Sequence, residues 1–432
     1  MTLQSSRSRR WSLSGALLML MAGAAASGAG AQQPDSTKAM RDSLAARLER
    51  AEEAIEMLRQ QLAAQSESGV STRSGLKLEW NGRILMSAFS NTRRTNNADV
   101  PTTVRPDTAS GLPNGGAGIA IRQTTLGLAV TTPSVLGAEF RGDLDMDFFG
   151  GQVSSFGGRT FPVLRLRTAR AILTWPHAEL LLGQDEPLVS NVNPVSLAGV
   201  GTPDFSASGN LWYWLPQARL TVERAGSIRW GISGAILAPM TGDNVGSFDT
   251  DFDVAERSRR PFLEGRLRAR WGAGETAAEV GLGVHQGWFA APHGTLLATR
   301  GVMADAVVPF GRSLEFRGEA FDGSGLRSLG GGQVAQLFGK DGSVLRGIGA
   351  WGQLNVRPST RVTFGAGYGF DDPDDAELPA SGRLKNATGE THLILRPAGP
   401  LVFSLEWRRT TTTYTARSWT NDHINLGAGF EF

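Results

Sequence analysis

Charged side chains at every second position are the residues of this chain best suited to chemistry. The cationic set comprises Arg165, Arg167, Arg219, Arg266, Arg268, Arg270 and Arg317, and the anionic set comprises Asp143, Asp145 and Asp147. Clustered guanidiniums lower the free energy of a nearby anion and can hold a carboxylate in a forked, two-point geometry. The aspartates supply the opposite sign, so the two sets would create a transverse electric field if they faced one water-filled passage. The alternative is that these charges only pair with one another.

A long polar connection between residues 185 and 215 is the second candidate site. It is rich in Asn, Pro, Ser and Gly, and it contains Asp185, Glu186 and Asp204. Charged side chains at the narrowest point of a passage determine which ions can cross it. If this segment folds inward, its carboxylates would lie at a constriction. The alternative is an exposed surface loop.

Other kinds of site are poorly supported by the sequence. The five histidines are scattered without metal-ligand spacing, and the absence of cysteine excludes disulfides and thiolate metal sites. The acidic segment 249–253 resembles the start of a calcium loop, but Val254 stands where that loop needs glycine. Glycines recur within the strand-like segments 281–287 and 365–369, where we predict small wall positions rather than a nucleotide loop. We therefore expect no cofactor, no metal and no enzymatic activity.

The composition argues against two further classes of protein. The 43 Lys and Arg residues against 41 Asp and Glu give a formal net charge of +2, which is too small for a typical nucleic-acid binder. Fifty-five glycines and only 41% hydrophobic residues argue against a helical membrane protein, because helical spans need about 20 apolar residues in a row. If the chain spans a membrane, it does so as a β-barrel.

The last twelve residues, Asn421 to Phe432, alternate strictly between two kinds of side chain from His423 onward. Apolar residues occupy the even positions from Ile424 to Phe432, and polar residues or glycines occupy the odd positions. This period of two predicts a strand. Because the same pattern recurs upstream, we predict that this strand closes a barrel. The terminal aromatic residue Phe432 is the predicted signal for the barrel-assembly machinery.

About sixteen strand-like segments follow one another from residue 76 onward. They begin near residues 76, 117, 135, 161, 177, 215, 227, 261, 275, 297, 312, 345, 360, 383, 400 and 419. Tight turns alternate with long loops between them, which is typical of an antiparallel transmembrane barrel, whereas a soluble β-sandwich would not need this alternation. An even count places both barrel ends on the short-turn, periplasmic side. Changes of phase near residues 117 and 165 predict bulges.

Three segments precede the predicted barrel domain, residues 76–432. Residues 1–31 have the basic start, apolar middle and small-residue exit of a secretory signal peptide, with an uncleaved anchor helix as the alternative. Residues 35–65 contain a heptad seam that predicts a short periplasmic coiled-coil helix, with a single helix on the barrel mouth as the alternative. Residues 66–75 are predicted to be a polar linker.

Several motifs resemble those of the DcaP-like trimeric outer-membrane porins. They are the first strand Leu78–Gly82, the run Gly137–Phe148, the segment Leu164–Arg167, and Gly183-Gln184 before a long loop. The resemblance implies a sixteen-stranded trimeric channel with a periplasmic coiled coil that takes up small anions such as dicarboxylates. The chain departs from the family pattern at Asp185-Glu186-Pro187, where family members tend to have a tryptophan.

The residues and the resemblance together predict a passive diffusion channel in the outer membrane of a Gram-negative-type bacterium. Its expected partners are small hydrophilic solutes, preferentially anions, outer-membrane lipid and two further copies of itself, but no nucleic acid. One alternative is an unselective or phosphate-type porin. The others are a barrel that tethers the envelope through its coiled coil, and an outer-membrane lipase or protease.

Overall fold

The computed structural model describes residues 69–71, 76–107, 111–150, 162–242 and 251–432. The predicted signal peptide and the predicted coiled-coil helix lie outside these residues. No helix among them has the length and apolarity needed to cross a membrane.

Almost all of the regular structure in the described residues is antiparallel β-sheet. The strands are β1 (Gly69–Ser71), β2 (Lys77–Asn91), β3 (Gly116–Ala120), β4 (Thr125–Val135), β5 (Ala138–Asp147), β6 (Arg165–Thr174), β7 (Ala178–Asp185), β8 (Leu215–Arg224), β9 (Arg229–Leu237), β10 (Phe262–Trp271), β11 (Ala278–Ala290), β12 (Leu296–Phe310), β13 (Leu314–Ser324), β14 (Arg346–Ser359), β15 (Val362–Pro373), β16 (Arg383–Leu395), β17 (Leu401–Tyr414) and β18 (Ser418–Glu431). One short helical turn, Gly332–Ala335, and several single 3₁₀ turns lie in the connections.

The sheet closes on itself. Each strand from β4 to β18 pairs with the next, and β18 returns to pair with β2 from His423–Asn91 to Glu431–Arg83. Both β3 and β4 pair with β2, so they form the two parts of one interrupted barrel strand. Across the described ranges the result is a closed barrel of sixteen antiparallel strands, which confirms the predicted fold class and strand count.

The two faces of each strand differ in polarity. On β17, the odd-numbered residues from Leu401 to Trp407 are exposed on the outside, whereas Glu406 and Arg408 are buried on the inside. On β18, Leu426 is exposed and its neighbour Asn425 is buried. Successive side chains of a strand point to opposite faces. The barrel therefore has an apolar outer face and a polar inner face.

Irregularities occur where the sequence predicted bulges. The predicted strand near residue 117 is divided between β3 and β4, and the pairing of β5 with β6 shifts between Asp145 and Met146. The predicted tight turn at Thr132-Pro133-Ser134 was wrong, because β4 continues to Val135. The turn lies at Leu136 and Gly137, which both have positive φ and thus match the twist of the two strands.

The two ends of the described barrel meet at its short-turn rim. Gly82 and Phe432 exchange two backbone hydrogen bonds, at 2.9 and 3.0 Å. Phe432 thus extends the seam between β18 and β2 by one residue. Three residues of the predicted linker, Gly69–Ser71, pair with the start of β2 as an additional short strand.

Candidate functional site

The connection from residue 186 to residue 214, here called the inner loop, lies inside the barrel. Its backbone carbonyls accept hydrogen bonds from inward side chains of distant strands, namely Asn193 from Arg317, Val195 from Gln353, Ala207 from Asn386, and Ala198 from Gln123 in the β3–β4 interruption. These donors are spread around the closed sheet. The inner loop therefore crosses the interior, as expected for a constriction loop.

Glycines on the wall make room for the inner loop. A side-chain Cβ built at Gly283 would lie 2.8 Å from Val189, and one built at Gly369 would lie 2.2 Å from the carbonyl oxygen of Ser208. Real Cβ atoms do not approach other atoms so closely, so only glycine lets the loop backbone reach the wall. Gly283 and Gly369, two of the small wall positions predicted from the sequence, are therefore contact points of the inner loop.

A hydrophobic cluster joins the inner loop to one side of the barrel. It contains Leu188, Val189 and Leu211 of the inner loop, Phe262, Phe289, Met303 and Phe321 of strands β10 to β13, and Leu326 and Leu329 of the connection after β13. The backbone N–H groups of Trp212 and Tyr213 also donate to the carbonyl of Leu329. Close-packed apolar side chains exclude water. This part of the interior is therefore filled.

Two predicted arginines on β6 pair with two predicted aspartates on β5. Arg165 binds Asp147 at 2.6 Å, and Arg167 lies 3.4 Å from Asp145 and 3.7 Å from Asp147. Both guanidiniums also lie over the ring of Trp214, at 4.9 and 5.0 Å from its centroid. Arg165 and Arg167 are two positions apart on β6, so both side chains reach the interior.

Arg170 was missed by the sequence analysis and joins three of the predicted residues. It lies 2.7 Å from Asp143 and 3.2 Å from Asp185, and Arg219 lies 3.2 Å from the other oxygen of Asp185. Arg170 breaks the every-second-position spacing of Arg165 and Arg167, so a strict alternation assigns it to the outer face. The phase change near residue 165 was the signal that could have placed it inside.

Glu186 begins the inner loop beside this group. Its side chain accepts a hydrogen bond from Asn193 at 2.6 Å, and its backbone carbonyl accepts one from Arg219 at 2.8 Å. Burial, together with the adjacent charge of Asp185, raises the pKa of Glu186 to about 7, although Arg167 and Arg170 oppose this shift. The site therefore contains a carboxyl group that titrates near neutral pH.

The three predicted arginines of β10 occupy two different environments. Arg266 is buried and contacts Asp305 and Glu279 at 2.5 and 2.8 Å. Arg268 contacts Glu223 at 3.0 Å, and Arg270 contacts Glu279 at 3.1 Å; both keep part of their surface in water. All three face inward, but Arg266 has almost no surface left for a solute.

Arg317 supports the inner loop and shares a carboxylate with a second arginine. It contacts Glu315 at 2.6 Å and donates to the carbonyl of Asn193 at 2.8 Å. Arg357, which the sequence analysis did not single out, contacts the other oxygen of Glu315 at 3.1 Å. The regular alternation of β14 ends near Arg357, so the face to which the Arg357 side chain points was not predictable from spacing.

The predicted loop acid Asp204 is fully buried at a second anchor of the inner loop. Arg408 binds both Asp204 and Glu406, and Ser196 donates to Glu406 at 2.5 Å. Oxygen atoms of Asp204, Glu406 and Glu390 lie within 4.8 Å of one another, a spacing that could hold a metal ion. The guanidinium of Arg408 already supplies positive charge to this cluster. Asp204 thus fastens the loop to the wall and has no surface in the passage.

Comparisons with known proteins bear on the architecture of this site. No family model matches the sequence, and no curated protein matches it. The crystal structure of the outer membrane channel DcaP of Acinetobacter baumannii superposes with a TM-score of 0.65 at 19% sequence identity, covering 84% of this chain and 100% of that chain. The chain has the porin fold. This likeness confirms the expected resemblance to DcaP at the level of the fold.

Two further porins share the fold more distantly. An anion-selective porin from Comamonas acidovorans has a TM-score of 0.52 at 12% identity, covering 83% of this chain and 100% of that chain. OprB of Pseudomonas putida has a TM-score of 0.50 at 10% identity, covering 82% of this chain and 94% of that chain. At these identities the comparison concerns the fold, and the solute must be inferred from this chain's own side chains.

Proposed function

We propose that this protein is an outer-membrane porin, a water-filled diffusion channel for small solutes that prefers anions. The apolar outer face and polar inner face suit a barrel that has lipid outside and water inside. The inner loop narrows the interior, and the charged residues of β5 to β8 lie next to its first residue, Glu186. A passage at this point would bring a solute past Arg167 and Arg170.

The unequal exposure of the ion-pair partners supports the anion preference. The side chain of Arg165 is 24% exposed while that of its partner Asp147 is fully buried, and Arg170 is 32% exposed against 7% for Asp143. Arg357 is 36% exposed against 11% for Glu315. In these pairs the carboxylate is held against the wall and the guanidinium faces water. Even a neutral pair arranged in this way presents positive potential to a solute.

Other pairs have the opposite arrangement, among them Arg266 with Glu279, whose side chains are 1% and 22% exposed. Asp145 is 43% exposed, whereas Arg167 beside it is 20% exposed. An exposed acid favours cations. If the negative potential of the exposed acids cancelled the positive potential of the exposed arginines, the channel would be unselective, which is the second candidate function. The arrangement at Arg165, Arg170 and Arg357 favours the anion channel.

The proposal includes a homotrimer in which the segment 35–65 forms a periplasmic coiled coil. Its support is the heptad seam in the sequence, and the uptake of dicarboxylate-like solutes follows from the forked geometry that arginines offer to carboxylates. The terminal Phe432 would be the residue by which the assembly machinery recognises the chain.

The double variant Arg167→Gln, Arg170→Gln tests the proposed selectivity. Purified protein in a planar lipid bilayer should show stepwise conductance, and its reversal potential in a salt gradient should indicate anion preference. Two unit charges 4 Å apart in water interact by about 1 kcal/mol, so the double variant should lower the anion-to-cation permeability ratio by about fivefold or more.

A matched control is the double variant Arg300→Gln, Arg346→Gln, which removes the same charge from exposed positions on the outer face. Its permeability ratio should equal that of the unchanged protein. Absence of stepwise conductance would contradict the channel, and equal permeability ratios for all three proteins would contradict the role of the arginines.

A further inference from the structure

Three buried carboxylates meet where the inner loop touches strands β16 and β17. Asp204 belongs to the inner loop, Glu390 to β16 and Glu406 to β17, and at most 2% of each residue is exposed to solvent. One oxygen atom from each side chain lies within 4.8 Å of the other two. The three residues are far apart in the sequence, so no local ligand spacing indicates this cluster. Here it is called the carboxylate cluster.

The charges of the carboxylate cluster do not balance. Arg408 donates hydrogen bonds to Asp204 Oδ1 and to Glu406 Oε1, and within the described ranges it is the only arginine or lysine that pairs with these acids. One guanidinium against three carboxylates leaves two negative charges in excess. A protonated His392, whose Nδ1 lies 3.2 Å from Glu390, would still leave one. Buried charge is costly unless it is compensated, so the cluster requires a further positive partner.

Two polar groups at the carboxylate cluster lack hydrogen-bond partners among the described residues. Asp204 Oδ2 accepts no hydrogen bond, although its other oxygen is held by Arg408. Asn425 of β18 is the direct cross-strand neighbour of Glu406 and is 1% exposed, yet neither its Oδ1 nor its Nδ2 has a partner. Buried polar atoms nearly always have a partner, and each exception needs an explanation. A cation would satisfy Asp204 Oδ2, and Asn425 places an amide oxygen beside the same site.

The donor atoms and their spacing favour calcium. Ca²⁺ takes six to eight oxygen ligands at about 2.3–2.6 Å, so oxygens on opposite sides of the ion are about 4.6–5.2 Å apart. Oxygens within 4.8 Å of one another therefore fit around one Ca²⁺. Mg²⁺ is smaller and usually keeps several water molecules, which a buried site accommodates poorly.

We propose that Asp204, Glu390 and Glu406 bind one calcium ion, which fastens the inner loop to β16 and β17. The two charges of Ca²⁺ equal the excess of negative charge that Arg408 leaves. Each ionised carboxylate offers about four lone-pair sites, and the hydrogen bonds from Arg408 and Ser196 use only some of them. The ion is a structural part of the protein rather than a solute that crosses it, so this site goes beyond the proposed function.

Equilibrium dialysis of the detergent-purified protein against radioactive calcium tests this site. After treatment with a calcium chelator, the unchanged protein should take up one tightly bound ion per chain, and excess magnesium should not displace it. The variant Glu390→Gln keeps the size of the side chain and leaves Arg408 with two acids. It should bind calcium about tenfold more weakly or less, since even the loss of a group that supports a ligand typically costs tenfold or more.

The variant Glu264→Gln is the matched control. Glu264 is also a buried wall acid that contacts the inner loop, through the N–H of Val189 at 3.4 Å, but it does not belong to the carboxylate cluster. This control should bind calcium as the unchanged protein does. Absence of a tightly bound ion in the unchanged protein would overturn the proposal. Equal calcium binding by the Glu390→Gln variant would also overturn it, because the bound ions would then lie elsewhere.

Thermal unfolding of the unchanged protein gives a second readout that needs no variant. A ligand that binds only the folded state stabilises it, so calcium should raise the unfolding temperature of the chelator-treated protein. An unfolding temperature that does not respond to calcium would contradict the site.

Conductance of the same preparation separates this proposal from the proposed function. A protein that conducts but binds no calcium would contradict the calcium site alone. A protein that binds calcium at the carboxylate cluster but does not conduct would contradict the channel alone.

Discussion

At the scale of single residues, ion pairing explains the inner face better than isolated charges do. Arg170 is held between Asp143 and Asp185, and Arg219 completes the chain of alternating charges. The alternation in the sequence was sufficient to predict that the seven arginines of the cationic set face inward. It could not predict which partner of each pair is exposed, because that depends on the register between strands. Nor could it show that Arg266 and Asp204 are buried.

Glu186 makes the proposed selectivity depend on pH. Its pKa of about 7 means that it is mostly neutral at pH 6 and mostly charged at pH 8. The new negative charge lies beside Asp185, Arg167 and Arg170 and weakens the local positive potential. We therefore expect the anion-to-cation permeability ratio to fall as the pH rises through 7, by up to about fivefold for one charge close to the solute.

Reversal potentials between pH 5.5 and 8.5 provide this measurement. The variant Glu186→Gln keeps the size of the side chain and cannot ionise, so its permeability ratio should stay at the acidic value across the range. A pH dependence that persists in this variant would show that another group is responsible.

At the scale of elements, the inner loop is determined by its contacts with distant strands. For the polar segment 185–215 the sequence left two alternatives, an inward fold and an exposed surface loop. The wall positions that the loop contacts could not be predicted, because a contact such as that of Ser208 with Gly369 joins residues far apart in the chain. Gly283 and Gly369 were predicted as small positions, and contact with the inner loop supplies the physical reason for them.

Replacing Gly369 with valine should displace the inner loop. The new Cβ would lie 2.2 Å from the carbonyl oxygen of Ser208, and a backbone atom cannot move without moving the loop. We expect a larger or more variable single-channel conductance in a planar bilayer. The variant Gly234→Val is the control, because a Cβ at Gly234 meets no atom within 4 Å. Identical conductance in both variants would mean that the loop does not control the width of the passage.

At the scale of the whole molecule, the sheet closes through its last residue. The strand count and the alternation of turns and loops were predictable, because each strand has a local signal with a period of two. The closing pair of Phe432 with Gly82 joins the two ends of the described barrel, and no local signal specifies it. Phe432 thus has a structural contact in addition to its proposed role as an assembly signal.

Deletion of Phe432 should reduce the yield of folded barrel more than it changes the conductance of each channel. The deletion removes two backbone hydrogen bonds at the seam, worth about 1 kcal/mol each, as well as the terminal aromatic group. Heat-modifiable mobility on gels measures the folded fraction, and the variant Phe432→Trp, which keeps both features, should fold normally. Equal folded fractions for the deletion and the unchanged protein would contradict this role.

The reversal potential of the unchanged protein in a planar bilayer under a salt gradient tests the central proposal most directly. We expect stepwise conductance with a reversal potential of the sign produced by preferential anion flow. A reversal potential of the sign produced by cation flow would contradict the proposed selectivity, and a bilayer without stepwise conductance would contradict the channel itself.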